Sequence, residues 1–295
     1  MVAQLEIRNE KYTLNNGTVI PAIGLGTWQS DNRHEFYDSV KCALKNGYRH
    51  IDTAACYKNE EYIGKAIKDS CIPREEIFIT TKIWNDRHKD VAKALDESLE
   101  KLGVEYVDLY LVHWPVSIDP KTGKPYDDWD YVDTYKALQK LYKESGKIKA
   151  LGVSNFTKKK LERLLNDPEV DVVPVVNQIE AHPLLTQDEL YKYLEEKNIK
   201  IAAYSPLGSA HSPLIKNETI LEIANKNGVD AGQVLISWAV QRKTIVLPKS
   251  VKESRLISNL KTFILSDKDF ETLNKLSEKY GVVRTCTMEY NNFDD

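Results

Sequence analysis

The sequence predicts an α/β fold: a (β/α)8 TIM barrel with an N-terminal β-hairpin and two extra helices. Three observations carry this. Short apolar runs, too short to be helices, alternate with segments of helical period along the chain. Eight such strand-then-helix units imply a parallel sheet that closes on itself. The runs also end, one after another, on large polar or aromatic side chains. An open doubly wound sheet would want G-x-G-x-x-G after its first strand, but Gly24-Leu25-Gly26 is followed by Thr27, Trp28 and Gln29, so the third glycine is missing.

Residues 5–20 alternate loosely around Asn16-Gly17, a hairpin turn pair. Residues 22–28, AIGLGTW, form the first barrel strand, and His34 to Lys45 a helix with Phe36, Val40, Ala43 and Leu44 on one face. Tyr48 to Asp52 is the second strand. Its helix begins near Asn59 with Glu60 and Glu61 in the first turn, where acids suit the helix dipole, and runs to Asp69. Residues 76–82 and 106–112 are the third and fourth strands, separated by the amphipathic segment from Asp90 to Leu102 that stops at Gly103. A polar loop follows His113-Trp114-Pro115, and then a helix from Tyr131 to Glu144. Strands are expected at 148–153, 172–176, 199–203 and 244–247, with helices at 158–165, 188–197, 217–226, 231–242, 252–260 and 267–279. Residues 209–216 read as loop, and the tail after Gly281 has no period. No composition shift marks a boundary, so residues 1–295 are expected to form one domain.

The formal net charge of −3 carries no basic excess for nucleic acid. No stretch reaches the roughly 20 apolar residues of a membrane span, and the N-terminus lacks an apolar signal core. Cys42, Cys56, Cys71 and Cys286 lie far apart and fit free thiols in a reducing cytoplasm. The six histidines show no metal-ligand spacing, so no metal is expected. A closed barrel leaves no open sheet edge, which favours a monomer.

In a parallel barrel all C-terminal strand ends share one rim, where such barrels carry their chemistry. The apolar runs give way there to Trp28, Asp52, Lys82, His113, Asn155, Gln178, Tyr204 and Lys249. Any one of these could be a solvated strand end. Eight together exceed what capping explains, because capping uses Ser, Thr, Asp or Asn rather than Lys, His, Trp and Tyr. Tyr57 lies five residues beyond Asp52 on the same loop. A lysine cation beside a phenol is expected to ease its ionisation, and an aspartate beside the lysine would hold it charged. A neutral His113 could orient a carbonyl oxygen. That is equipment for protonating such an oxygen as charge develops on it. Hydride would have to come from a cofactor. Ser154, Asn155 and Gln178 offer groups for a carboxamide, and Tyr204 a face for a nicotinamide ring. Lys249 and Arg255 flank an expected helix start that would attract phosphate.

These residues resemble the aldo-keto reductases, and the closest resemblance is to fungal NADP-dependent carbonyl reductases of the glycerol dehydrogenase type. Residues 47–64, GYRHIDTAACYKNEEYIG, residues 149–156, KALGVSNF, and residues 247–259, LPKSVKESRLISN, resemble the three signatures of the family, and the likeness spans nearly the whole chain. The resemblance implies NADPH-dependent, reversible reduction of aldehydes or ketones to alcohols. Tyr57 would be the general acid, with Asp52, Lys82 and His113 completing the catalytic set. It implies cofactor contacts from Thr27, Trp28, Asp52, Ser154, Asn155, Gln178, Tyr204, Ser205, Leu207, Ser209, Lys249, Ser250, Val251, Arg255 and Asn259. It implies substrate contacts from Trp28, Tyr57, Trp84, His113 and Trp114. Ser258 stands where many members carry glutamate, and Thr262 where the third signature wants an apolar residue. Two other readings share parts of the pattern. A cofactor-holding regulatory module of the same fold, with little turnover, would keep the same residues. A phosphate-sugar lyase or isomerase would share the rim but leave Tyr57 and the tryptophans without a role.

Overall fold

The two edges of the main sheet meet. In this computed structural model, which describes residues 4–7, 10–29, 33–209, 213–290 and 293, twelve strands and eleven helices follow one another. Three strands come first: β1 (Glu6–Ile7), β2 (Lys11–Thr13) and β3 (Val19–Pro21). The barrel then alternates β4 (Leu25–Gly26), α1 (Arg33–Lys45), β5 (His50–Asp52), α2 (Glu60–Ser70), β6 (Phe78–Ile83), α3 (Val91–Leu102), β7 (Leu109–Val112), α4 (Tyr131–Ser145), β8 (Leu151–Ser154), α5 (Lys158–Leu165), β9 (Val176–Glu180), α6 (Asp188–Glu196) and β10 (Lys200–Tyr204). Helices α7 (Glu218–Asn227) and α8 (Ala231–Gln241) precede β11 (Ile245–Val246) and α9 (Glu253–Asn259); β12 (Lys261–Thr262), α10 (Asp267–Asn274) and α11 (Leu276–Tyr280) complete the chain.

Strands β4 to β11 pair in chain order, every pair parallel. Closure is made between the ends of that order. Val246 N–H donates to the Ala22 carbonyl at 2.8 Å, Gly24 N–H to the Val246 carbonyl at 2.9 Å, and Gly26 N–H to the Pro248 carbonyl at 3.1 Å. The period of two then divides the strand side chains. Ile51, Ile79, Tyr110, Val112, Val153, Ile179 and Ala203 join the apolar layer under the helices. Phe78, Leu109, Leu111, Ala202, Ile245 and Leu247 form a second cluster together with Tyr12, Leu14 and Ile20 of the hairpin. The hairpin β2–β3 therefore plugs one mouth of the barrel with its own apolar side chains. The expected Asn16-Gly17 turn is present, with Gly17 at φ +85°, and Asn15 and Asn16 donate to the carbonyls of Pro174 and Lys149. Polar chemistry is thereby confined to the opposite mouth.

Several boundaries differ from the sequence reading. The sixth barrel strand begins at Val176 rather than 172, because Pro174 has no N–H for the ladder. Asn177 and Gln178 consequently lie within the strand. Glu6–Ile7 leave the hairpin and pair antiparallel with β12, with Glu6 opposite Thr262, a pairing between distant segments that local pattern cannot reveal. The expected helix 267–279 is split into α10 and α11, where the Asn274 side chain turns to accept from Trp238 Nε1 at 2.9 Å. Residues 8–9 of the expected hairpin, 210–212 of the expected loop, and 291–292 and 294–295 of the tail lie outside the described residues.

Candidate active site

The open mouth is built from the last inward-facing residue of each strand. On β5 the outward Ile51 sits in the core, so His50 and Asp52 point into the barrel. Asp52 pairs in register with Gly26 on one side and Thr80 on the other. The small residues Thr53 and Ala54, both fully buried, let the chain turn at once into a 3-10 turn at Ala55–Tyr57. Lys58 ends that turn in the left-handed region at φ 55°. Asn59 fastens it: its side-chain amide donates to the Thr27 carbonyl at 2.9 Å and accepts from Thr53 Oγ1 at 2.7 Å.

Lys82, on β6, is fully buried, and Nζ donates to Asp52 Oδ1 at 2.6 Å and to the Thr53 carbonyl at 2.8 Å. Asp52 Oδ2 accepts from Gln178 Nε2 at 2.6 Å, so one carboxylate ties three strands. Lys82 Nζ stands 5.2 Å from the centre of the Tyr57 ring. His113, just past β7, meets Tyr57 edge-on at 5.6 Å between ring centres and Trp84 edge-on at 5.1 Å, with Trp114 stacked beyond it at 6.4 Å. Asp52, Tyr57, Lys82 and His113 are thus brought together from three separate strand ends.

Burial sets the protonation of this group. It pushes the Tyr57 hydroxyl well above the ordinary tyrosine value, and the charge of Asp52 adds to the effect. The Lys82 ammonium near the ring is itself bonded to Asp52 and to the Thr53 carbonyl. Burial thus works against the easing of Tyr57's ionisation that a neighbouring lysine cation would give. His113 is held well below the ordinary imidazole value by burial and by the nearby Lys82 charge, and is neutral. Burial raises the Asp52 carboxyl, opposed by Lys82 and Gln178.

A cavity of about 800 Å³ opens above these groups. Tyr57, Trp28, Trp84, His113 and Trp114 line one part of it; Asn155, Gln178, Tyr204, Ser205, Leu207 and Ser209 line another; Thr27, Lys249, Ser250, Arg255 and Asn259 extend it along the closing strands. Asn155 takes the left-handed conformation at φ 64°, which asparagine tolerates. Its amide donates to the His113 carbonyl at 3.0 Å and to Ser154 Oγ at 3.1 Å, and it accepts from the Tyr204 hydroxyl at 2.7 Å. Lys249 Nζ reaches across the closure to the Gln29 carbonyl at 2.8 Å. Arg255 is exposed at the cavity edge.

Two expectations about these residues change. Ser154 does not line the cavity: its hydroxyl donates to the Gln178 carbonyl at 2.8 Å and is spent on the wall. Val251 does not line it either. Helix α9 has seven residues with Glu253 in its first turn and Arg255 within it, and Lys249 precedes it. Sequence reasoning missed Cys56, whose Sγ lies 3.6 Å from His113 Nδ1 and whose thiol burial pushes up to about 12. It also missed Cys286, Thr287 and Met288, which line the cavity from the aperiodic tail. Cys56 adjoins Tyr57 and was findable by position; the tail residues carried no local signal. Among the described residues no cluster of side chains suits a metal ion.

A family model described as "Aldo/keto reductase family" matches residues 22–278. A glycerol 2-dehydrogenase (NADP(+)) of Saccharomyces cerevisiae is 47% identical, the match covering 100% of this chain and 99% of that protein. An aldehyde reductase of the same yeast is 46% identical, with 99% of each chain covered. Among solved structures, a Bombyx mori aldo-keto reductase in complex with NADP superposes with a TM-score of 0.88 at 34% identity, covering 98% of this chain and 100% of that one.

The ion pair yields the first test. Removing either partner leaves a buried charge alone, at a cost of about 3–5 kcal/mol. Lys82→Met and Asp52→Asn should each lose about that much stability in urea unfolding. The double variant should lose markedly less than the sum, since neither charge is then stranded. Additive losses would show that the pair is not coupled.

Proposed function

The chain belongs to the aldo/keto reductase family, and from that premise we propose that Tyr57 is the proton donor of its reaction. The protein is an NADP-dependent oxidoreductase acting on carbonyl groups, reducing aldehydes or ketones to alcohols. The observation that supports Tyr57 most directly is its place in the cavity lining, beside the His113 imidazole and the buried Lys82–Asp52 pair.

The donor set suits NADPH. Gln178 bonds Asp52 and Tyr204 bonds Asn155, and Lys249, Ser250 and Arg255 line the same cavity. Asn155, Gln178 and Tyr204 would hold the nicotinamide end, and Ser205, Leu207 and Ser209 the middle. Thr27, Trp28 and Asn259 would add contacts, and the two cations and Ser250 would take the 2′-phosphate. NADPH bound there supplies the hydride. Tyr57 retains its proton until negative charge develops on the carbonyl oxygen, and then transfers it to that oxygen. Lys82 and Asp52 fix the ring's surroundings and give the resulting phenolate a nearby cation. His113, being neutral, donates a hydrogen bond that orients the carbonyl oxygen. Trp28, Trp84 and Trp114 make an apolar wall that favours an apolar carbonyl compound. The relatives' names, a glycerol 2-dehydrogenase and an aldehyde reductase, support glycerol and aldehydes as candidate substrates.

We read residues 1–295 as a single barrel domain, supported by one closed sheet whose helices share one core. We read the protein as a cytoplasmic monomer. Its cysteines are free thiols, and no helix among the described residues is long and apolar enough to cross a membrane. Sedimentation of one 33.8 kDa species is the expected outcome, and a stable dimer would overturn the monomer.

NADPH consumption with a panel of aldehydes and ketones tests the mechanism. Tyr57→Phe should lower kcat by at least the roughly 10²-fold typical of losing a general acid; retained turnover would remove Tyr57 from that role. The pH profile follows from the two shifts. Tyr57's ionisation lies above 10.0 and His113's below 6.5, so both stay in their working forms between these values. The profile of kcat/KM for reduction should therefore be flat across that window. Arg255→Ala should raise the KM for NADPH by about ten- to hundredfold, as for losing a hydrogen bond to a charged group, with little change for NADH. An equal effect on both cofactors would place the 2′-phosphate elsewhere.

A further inference from the structure

The tail after α11 contains no helix or strand through residue 290, yet Cys286, Thr287 and Met288 form part of the cavity wall. Something must hold an irregular segment there. Glu180, the last residue of β9, does so from the opposite side of the sequence. Its side chain is fully buried and accepts four hydrogen bonds. Thr285 N–H and Thr285 Oγ1 donate to Oε1 at 2.8 and 2.6 Å, Cys286 N–H donates to Oε2 at 2.9 Å, and His182 Nε2 lies 3.0 Å from Oε1. Three of the four come from the tail. Burial alone would raise this carboxyl, but these donors outweigh it and hold it below the ordinary glutamate value, so it is ionised. A buried carboxylate is costly unless its donors stay in place, so the tail and the charge depend on each other.

The tail is fastened a second time on the far side of the mouth, where Asn85 Nδ2 lies 3.3 Å from Met288 Sδ. Asn85 follows Trp84, a wall residue of the same cavity. The three wall residues of the tail are thus strung between the end of β9 and the end of β6. We propose that Glu180 is the anchor that fixes the tail as a wall of the substrate cavity, and is thereby a specificity-determining positioning residue. It favours carbonyl compounds large enough to touch the tail as well as the tryptophans. Small aldehydes held at Tyr57 and His113 fill less of the cavity and so gain less from that wall. The inference rests on the reading of this cavity as the substrate site.

Glu180→Gln tests it. The amide presents N–H where the carboxylate received one, so at least one tail donor loses its acceptor. Two readouts are needed. Hydrogen exchange followed by mass spectrometry should show faster exchange in the peptide containing Thr285 and Cys286. The ratio of kcat/KM for naphthaldehyde to kcat/KM for propanal should fall about tenfold, as for losing a modest apolar contact, with the loss in KM for naphthaldehyde rather than in kcat. Thr285→Val, which removes one donor from the tail side, should move both readouts the same way by less, and decides the matter if Glu180→Gln does not fold. Unchanged exchange would overturn the anchor. Faster exchange with an unchanged ratio, or an equal fall in kcat for both aldehydes, would overturn the role in specificity. Wild-type protein that reduces neither aldehyde would instead overturn the reading of the site.

Discussion

The carboxylate of Asp52 is the point on which this mouth of the barrel is built. One oxygen takes Lys82 Nζ and the other takes Gln178 Nε2, each at 2.6 Å. The three side chains come from β5, β6 and β9, which are not all neighbours in the sheet. Placing two charges out of water costs several kcal/mol per ion, and the attraction repays it only in good geometry with the remaining valences filled. Here they are filled: Lys82 has the Thr53 carbonyl as a second acceptor, and Asp52 has no unbonded oxygen. Such a pair tolerates little movement. Parting the strands anywhere between β5 and β9 would displace one partner from the others.

Closure in turn depends on the division of side chains by strand period. Outward residues bind the sheet to its helices, and inward residues fill the lower half with Phe78, Leu109, Leu111, Ile245 and the plug of Tyr12, Leu14 and Ile20. Gly152 shows how tightly the strands approach in the interior: a Cβ there would meet Leu111 Cδ2 at 2.7 Å and the Val176 carbonyl at 2.8 Å. An apolar, filled lower half leaves the upper half as the only place along the barrel axis for the polar ends. The inner layers thus separate stability from chemistry within single strands, with Leu109 and Leu111 packing below and His113 working above on the same face.

Much of this was legible in the sequence, and the reason is the period of two. Once eight parallel strands are counted, the residue at each C-terminal end is assigned to one rim whatever its distance along the chain, and Asp52, Lys82, His113, Asn155, Gln178 and Tyr204 meet there. Features that depend on direction rather than position were not legible. Ser154 sits at the rim but bonds into the wall. Pro174 moves the start of β9, and α10 ends where Asn274 meets Trp238. Pairings between distant irregular segments, such as β1 with β12 or Glu180 with Thr285, leave no periodic trace at all.

Burial is the part of Tyr57's environment that position along the chain does not reveal. A lysine near a tyrosine lowers its pKa only if the cation's field reaches the phenolate oxygen unopposed. Lys82 brings Asp52 with it, and burial together with the Asp52 charge pushes the Tyr57 hydroxyl up. Desolvation favours the neutral phenol. For reduction that direction is useful, since an acid that ionised early would have no proton to give when charge appears on the substrate oxygen. The Lys82–Asp52 pair therefore serves the proton transfer less by making Tyr57 a stronger acid beforehand than by standing ready, already desolvated and fixed, beside the phenolate that the transfer leaves behind.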